Sequence, residues 1–156
     1  MADATAKKIL ITTSTFDVSR NTSLATLSRQ GLDIVTNPHG RRLMEDEVAA
    51  LLTPDVIGMI AGVEPLTRAV LEVASGLQVI SRCGTGMDSV DQTAAKELGI
   101  EVCNTPNAPA PAVIELTVAL MLDVLRRLSE SDRALRGGSW APHQGSLLGT
   151  KTVGVI

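Results

Sequence analysis

The sequence predicts a doubly wound, mostly parallel α/β sheet, and three observations carry the prediction. Short β-branched runs alternate with helix-patterned segments along the first hundred residues. The connections between them are short, as βαβ units require. The 156 residues are 44% hydrophobic and 20% charged, the balance of a chain that folds around a core.

Each element has its own justification. Lys8-Ile9-Leu10-Ile11-Thr12 reads as the first strand, and a helix near residues 22–30 is closed by Gly31. Leu32–Thr36 is the second strand, ended by Asn37-Pro38. Leu43–Leu52 is a helix, with Glu45, Asp46 and Glu47 where the positive end of its dipole favours carboxylates. Val56–Ile60 is the third strand. Thr67–Ala74 follows as a helix with Thr67 as N-cap and Gly76 beyond its end. Gln78–Arg82 is the fourth strand, Asp91–Leu98 a helix closed by Gly99, and Ile100–Cys103 the fifth strand. Five strands in this arrangement make a flavodoxin-like domain over residues 1–105.

The pattern then changes. Pro109–Leu128 reads as one long helix, apolar on nearly every side, so it needs cover on every face. Its longest apolar stretch, Val113–Leu125, falls short of the roughly 20 residues of a bilayer span and contains Glu115, Thr117 and Asp123. A second helix follows, with Ser129 and Asp132 spaced as a capping box. Thr152-Val153-Gly154-Val155-Ile156 reads as another buried strand. Residues 106–156 thus form a separate segment.

Composition excludes several functions. Phe16 and Trp140 are the only aromatics, and 14 Lys+Arg stand against 17 Asp+Glu. Neither stacking on nucleic-acid bases nor phosphate-backbone binding is expected. Cys83 and Cys103 do not make a metal site or a disulfide framework, and both read as buried, inert thiols. Met1-Ala2-Asp3-Ala4 carries no signal-peptide pattern, which reads as cytoplasmic. His39 and His143 lie in loop contexts without a carboxylate at meaningful spacing, as solvated histidines do.

In open α/β sheets ligands sit beyond the carboxyl ends of the strands. The richest such end is Arg82-Cys83-Gly84-Thr85-Gly86-Met87-Asp88-Ser89-Val90-Asp91. Gly84 and Gly86 permit a tight turn that presents the N–H groups of Thr85 and Gly86, a nest for a carboxylate or phosphate. A plain strand-to-helix turn is the competing reading. Asp88 and Asp91 are either an acid–base pair or turn and cap residues. Ala61-Gly62-Val63-Glu64-Pro65-Leu66-Thr67 ends the third strand on the same side, as a wall of that crevice or as a turn.

The run from Ile80 to Asp91, followed by Ala94-Ala95, Gly99-Ile100, Val102 and Asn104-Thr105-Pro106, resembles the NAD-dependent D-isomer-specific 2-hydroxyacid dehydrogenases. Within them it is most similar to the phosphoglycerate dehydrogenase-like branch. Ala112–Thr117, Asp132–Arg136, Trp140 and Leu147–Ile156 continue the resemblance in the same order. It implies a substrate-binding domain whose Thr85 and Gly86 amides hold a substrate carboxylate, with Gly84 shaping the turn and Ala61, Gly62 and Val63 lining the pocket. It also implies NAD as cofactor, a 2-hydroxy or 2-keto acid as substrate, and a homodimer or higher homo-oligomer.

The departures matter equally. No G-x-G-x-x-G follows Thr152–Ile156, where the first strand of a Rossmann domain would run into it. The family's catalytic Arg, Glu and His are expected beyond Ile156, so no catalytic, cofactor-binding or metal residue is assigned in this chain. A nucleotide-binding half needs roughly another 150 residues. The expectation is the N-terminal part of an oxidoreductase that moves a hydride between NAD(H) and a D-2-hydroxy acid, 3-phosphoglycerate among the candidates. By itself the part would neither turn over substrate nor bind NAD. The rival is a free-standing flavodoxin-like ligand-binding or regulatory module. A phosphorylated substrate would need a cation, for which Arg68 and Arg82 are candidates.

Overall fold

The computed structural model describes residues 6–14, 16 and 20–155. Five strands form one sheet: β1 (Lys8–Ile11), β2 (Asp33–Thr36), β3 (Val56–Ala61), β4 (Val79–Arg82) and β5 (Glu101–Asn104). Their order is β2-β1-β3-β4-β5 and every pairing is parallel, which is the flavodoxin-like winding. The central strands are the apolar ones. Leu10, Ile11, Val56, Met59 and Ile80 are essentially inaccessible, whereas edge strands β2 and β5 keep exposed positions.

Four helices connect the strands: α1 (Thr22–Arg29), α2 (Glu45–Leu51), α3 (Arg68–Val73) and α4 (Gln92–Glu97). Right-handed crossovers place α1 on one face and α2, α3 and α4 on the other. Their starts follow the local chemistry. Asn21, Thr67 and Asp91 cap α1, α3 and α4 by accepting from Ser23, Val70 and Ala94 backbone N–H groups. At α2 the cap residue is Met44, and the Glu47 carboxylate accepts its backbone N–H at 2.8 Å. Leu43, Val48, Leu66, Val70, Leu71, Ala94 and Ala95 close the core over the sheet.

The chain divides into two compact units, residues 1–108 and 109–156. The second contains α5 (Ala110–Arg126), α6 (Leu128–Arg136) and a short 3-10 turn (Leu148–Thr150). Pro109 and Pro111 fit the opening of α5, where a missing N–H costs nothing. Arg127 joins α5 to α6 in the left-handed conformation (φ 55°), held by a bidentate pair with Glu130 at 2.6 and 2.8 Å. The expected Ser129–Asp132 capping box is absent. Ser129 instead gives both its N–H and its hydroxyl to the Asp123 carboxylate, at 2.7 and 2.8 Å, because the left-handed link turns it back onto α5. Asp132 pairs with Arg136 one turn on. No residue of α5 is buried.

Two further expectations fail. Residues 152–155 are exposed and form no strand, since no described segment pairs with them; Ile156 lies outside the described residues. The two thiols are exposed rather than buried. Cys83 lies just past the end of β4, and Cys103 sits on edge strand β5. Among the described residues, no helix is long and apolar enough to cross a membrane.

Candidate substrate-binding site

The strand order reverses between β1 and β3, and a crevice opens there beyond their carboxyl ends. A cavity of about 230 Å³ occupies it, lined by Thr13, Ser14, Arg42, Gly62, Val63, Glu64 and Cys83. A neighbouring cavity of about 320 Å³ is lined by Arg42, Val63, Arg82, Gly86, Asp88 and Ser89. Arg42 and Val63 line both, so the two form one trough across the ends of β1, β3 and β4.

The wall from β3 is fixed by a buried carboxylate. Glu64 is only 2% exposed and accepts the Gly62 N–H at 2.8 Å and the Thr12 hydroxyl. It therefore ties the end of β1 to the loop after β3. A Cβ on Gly62 would lie 2.9 Å from Glu64 Oε2 and 3.0 Å from Thr13 Cβ, so a larger residue there would displace the Glu64 carboxylate or Thr13. The same loop is joined to the one after β4. Leu66 N–H donates to the Ser89 carbonyl at 2.7 Å, and Asp91 N–H to the Leu66 carbonyl at 2.9 Å.

The Gly84–Gly86 turn is held from the side of β5. Gly84 N–H donates to Thr105 Oγ1 at 2.8 Å and Thr105 N–H to the Gly84 carbonyl at 3.1 Å. Asn104 Nδ2 donates to the Thr85 carbonyl at 2.8 Å, and Thr85 Oγ1 to the Pro106 carbonyl at 2.9 Å. The N–H groups of Thr85 and Gly86 find no partner among the described residues. The other polar groups of Gly84 and Thr85 are all engaged, so these two donors are held open.

Arg82 lies over this turn. It donates from Nη1 to the Cys83 carbonyl at 2.6 Å, while its buried Nε has no partner among the described residues. A Cβ on Gly84 would come within 1.4 Å of Arg82 Nη1, and Gly84 has φ +140°. Gly84 thus serves both the turn and the seat of the guanidinium. Arg42 makes no side-chain hydrogen bond or ion pair among the described residues, in contrast to Arg41, which grips Glu47 at 2.6 and 2.8 Å. Arg68, the other proposed cation, is engaged by Glu97 at 2.7 Å and Glu72 at 3.7 Å, away from the trough.

Among the residues singled out from sequence, Gly62, Val63 and Gly86 line the trough, and Thr85 adds its free amide. The Gly84 amide is committed to Thr105. Ala61 is buried within β3, its carbonyl accepting from Cys83 N–H at 2.7 Å. Asp91 is a helix cap, whereas Asp88 is exposed at the trough. The histidines do have carboxylate neighbours. Nε2 of His39 lies 3.8 Å from Glu47, and Nε2 of His143 lies 3.8 Å from Glu130, with the His143 side chain only 17% exposed. Sequence reasoning missed Arg42 and Glu64.

Fold and trough together define an α/β domain with open backbone donors and two guanidiniums beside the switch point of a parallel sheet. Residues 9–152 match the model of the D-isomer specific 2-hydroxyacid dehydrogenase catalytic domain, and the chain belongs to that family. Hydroxypyruvate reductase of Thermotoga maritima is 35% identical over 124 residues, covering 78% of this chain and 40% of that enzyme. D-3-phosphoglycerate dehydrogenase of Methanocaldococcus jannaschii is 39% identical over 114 residues, covering 72% of this chain and 22% of the enzyme. A solved structure from Thermus thermophilus superposes with a TM-score of 0.77 at 34% identity, covering 90% of this chain and 44% of that one. The chain spans less than half the length of these relatives. The NAD+-bound 3-phosphoglycerate dehydrogenase of Entamoeba histolytica shares the fold (TM-score 0.70, 21% identity), covering 92% of this chain and 43% of that one. The residues present do not themselves fit a dinucleotide: among the described residues Gly149 and Gly154 stand at no strand-to-helix turn.

Proposed function

We propose that this chain supplies the substrate-binding domain of a longer cytoplasmic, homo-oligomeric dehydrogenase. The complete protein would transfer a hydride between NAD(H) and C2 of a D-2-hydroxy acid or its 2-keto partner. The observation that carries this reading is the pair of unpaired N–H groups at Thr85 and Gly86, fixed on a turn at the end of β4. Two open consecutive amides with an adjacent guanidinium suit a carboxylate, which every 2-hydroxy acid carries. Anchoring that group orients C2 while leaving the hydroxyl or keto oxygen free for chemistry elsewhere. Val63 and the loop tied down by Glu64 form the opposing wall.

The test is reduction of a panel of 2-keto acids by the complete protein, followed through NADH absorbance. The expected result is saturable turnover with a D-configured product. A folded complete protein that oxidises NADH with none of the panel overturns the reading and favours a non-catalytic binding module.

A further inference from the structure

Open donors bind a ligand only if they are aimed, and the two in the Gly84–Gly86 turn are aimed from behind. In a trans peptide the N–H and the C=O point to opposite sides of one rigid plane. Thr85 N–H shares its plane with the Gly84 carbonyl, and Gly86 N–H shares its plane with the Thr85 carbonyl. Both carbonyls are gripped from the end of β5. Thr105 N–H donates to the Gly84 carbonyl at 3.1 Å, and Asn104 Nδ2 to the Thr85 carbonyl at 2.8 Å. Each open N–H is therefore the far end of a plane whose near end is anchored, and Gly86 lines the trough. A bond to the carbonyl also polarises its amide, which strengthens the N–H as a donor. The two grips differ in kind. The first is a backbone bond that any residue except proline supplies at position 105, whereas the second depends on one side chain. Asn104 ends β5 in register with Arg82 of β4, which sets it beside the turn. Among the described residues no other donor reaches the Thr85 carbonyl.

We propose that Asn104 is a positioning residue, whose side-chain amide aims the Gly86 N–H at the carboxylate of a bound 2-hydroxy or 2-keto acid. This rests on the dehydrogenase reading above. Asn104 acts through the Thr85–Gly86 peptide and not on the substrate itself. Without its bond the Thr85 carbonyl loses its only partner, and the plane is free to rotate because glycine at position 86 restrains it little. The Gly86 N–H then spends part of its time turned away from the trough. Thr85 N–H, whose plane is held by the Thr105 backbone, keeps its direction. A carboxylate contact is made equally in the ground state and in the transition state, so its weakening falls on KM and spares kcat.

The experiment measures kcat and KM of the complete protein for NADH and for the 2-keto acid it reduces fastest, beside thermal unfolding. The parent is compared with Asn104→Ala and Asn104→Asp. The aspartate keeps the shape of the side chain but sets an accepting oxygen against the Thr85 carbonyl, so it answers the question even where alanine loosens β5. Asn104→Ala should raise the keto-acid KM about 10-fold, the lower end for weakening a hydrogen bond to a charged group, and leave kcat within about 2-fold. Asn104→Asp should raise that KM further, and the KM for NADH should stay at the parent value in both. A keto-acid KM unchanged in both variants overturns the proposal, as does an effect confined to kcat. So does a rise in both KM values together with a lower melting temperature, which is a general loosening of β5. Each of these leaves the dehydrogenase reading standing. A parent that reduces no 2-keto acid overturns that reading, and the proposal with it.

Discussion

Two glycines two residues apart should fail in different ways when replaced by alanine, and the pair tests the nest directly. Gly84 has φ +140°, a region that side chains rarely adopt, and its Cβ would overlap Arg82 Nη1 at 1.4 Å. Gly84→Ala should cost about 1–3 kcal/mol in backbone strain alone. It must also drive the guanidinium from its seat. At roughly 4 °C per kcal/mol, the melting temperature should fall by several degrees. Gly86 carries no such strain, and its Cβ would meet only Asp88 Oδ2, at an ordinary 3.8 Å. Gly86→Ala should therefore fold normally, while its methyl group sits where a carboxylate must approach the two amides. Losing one or both of those charge-assisted bonds should reduce kcat/KM about 10- to 150-fold. The assay is thermal unfolding alongside steady-state kinetics of the complete protein. Unchanged kinetics for a well-folded Gly86→Ala would falsify the nest as the carboxylate site, and an unshifted melting temperature for Gly84→Ala would refute the strain argument.

Other expectations concern stability and assembly. Glu64→Ala leaves the buried Gly62 N–H without its acceptor and the Thr12 hydroxyl with only the Ile60 carbonyl, and should destabilise by about 1–3 kcal/mol, whereas Glu64→Gln keeps a carbonyl oxygen there and should recover much of the loss in denaturant melts. The Arg41 guanidinium and the Met44 backbone N–H hold Glu47 down from 4.5 to about 2. Its contribution is therefore complete above pH 4.5 and disappears as the pH falls towards 2, so Glu47→Gln should flatten the stability profile in that window. A Glu47→Gln profile as steep as the parent's there would contradict the assignment. The 156-residue chain should self-associate, because Val113, Ile114, Leu116, Val118, Leu120, Leu122 and Val124 of α5 are 38–77% exposed; sedimentation equilibrium showing a concentration-independent monomer would refute this.

Much of the fold is legible in the sequence because its signals are local. The five strands lie within a residue or two of where β-branched runs put them. Thr67 and Asp91 cap their helices because a side-chain oxygen needs only the next turn. The misreadings share one cause, the need for a partner distant in sequence. Spacing makes Ser129 a cap for its own helix, but the left-handed Arg127 delivers it to Asp123. A strand position makes Cys103 a buried thiol, but β5 is an edge, which the order of strands decides and the strand itself does not. Glu64 reads as an ordinary loop acid until β1 brings Thr12 to it across 52 residues. Arg42 is hidden differently. Gly40-Arg41-Arg42 gives no local reason to separate the two arginines, and only the fold sends one to Glu47 and the other to the trough.

The trough follows from that assembly. Reversal of the strand order at β1 and β3 opens a crevice, and the loops after β2, β3 and β4 meet there beside Thr13 and Ser14. Each brings something the others cannot. The β4 loop supplies open amides, because β5 and the following residues satisfy its other polar groups through Asn104, Thr105 and Pro106. The β3 loop supplies a rigid wall, because Glu64 anchors it from beneath. The β2 loop supplies a long side chain with an uncommitted charge, Arg42, while its neighbour Arg41 takes the Glu47 carboxylate. The open donors of the trough are thus the product of loops whose other backbone groups are satisfied internally. That is why the donors left over, Thr85 and Gly86 N–H with the two guanidiniums, are the ones a substrate would find.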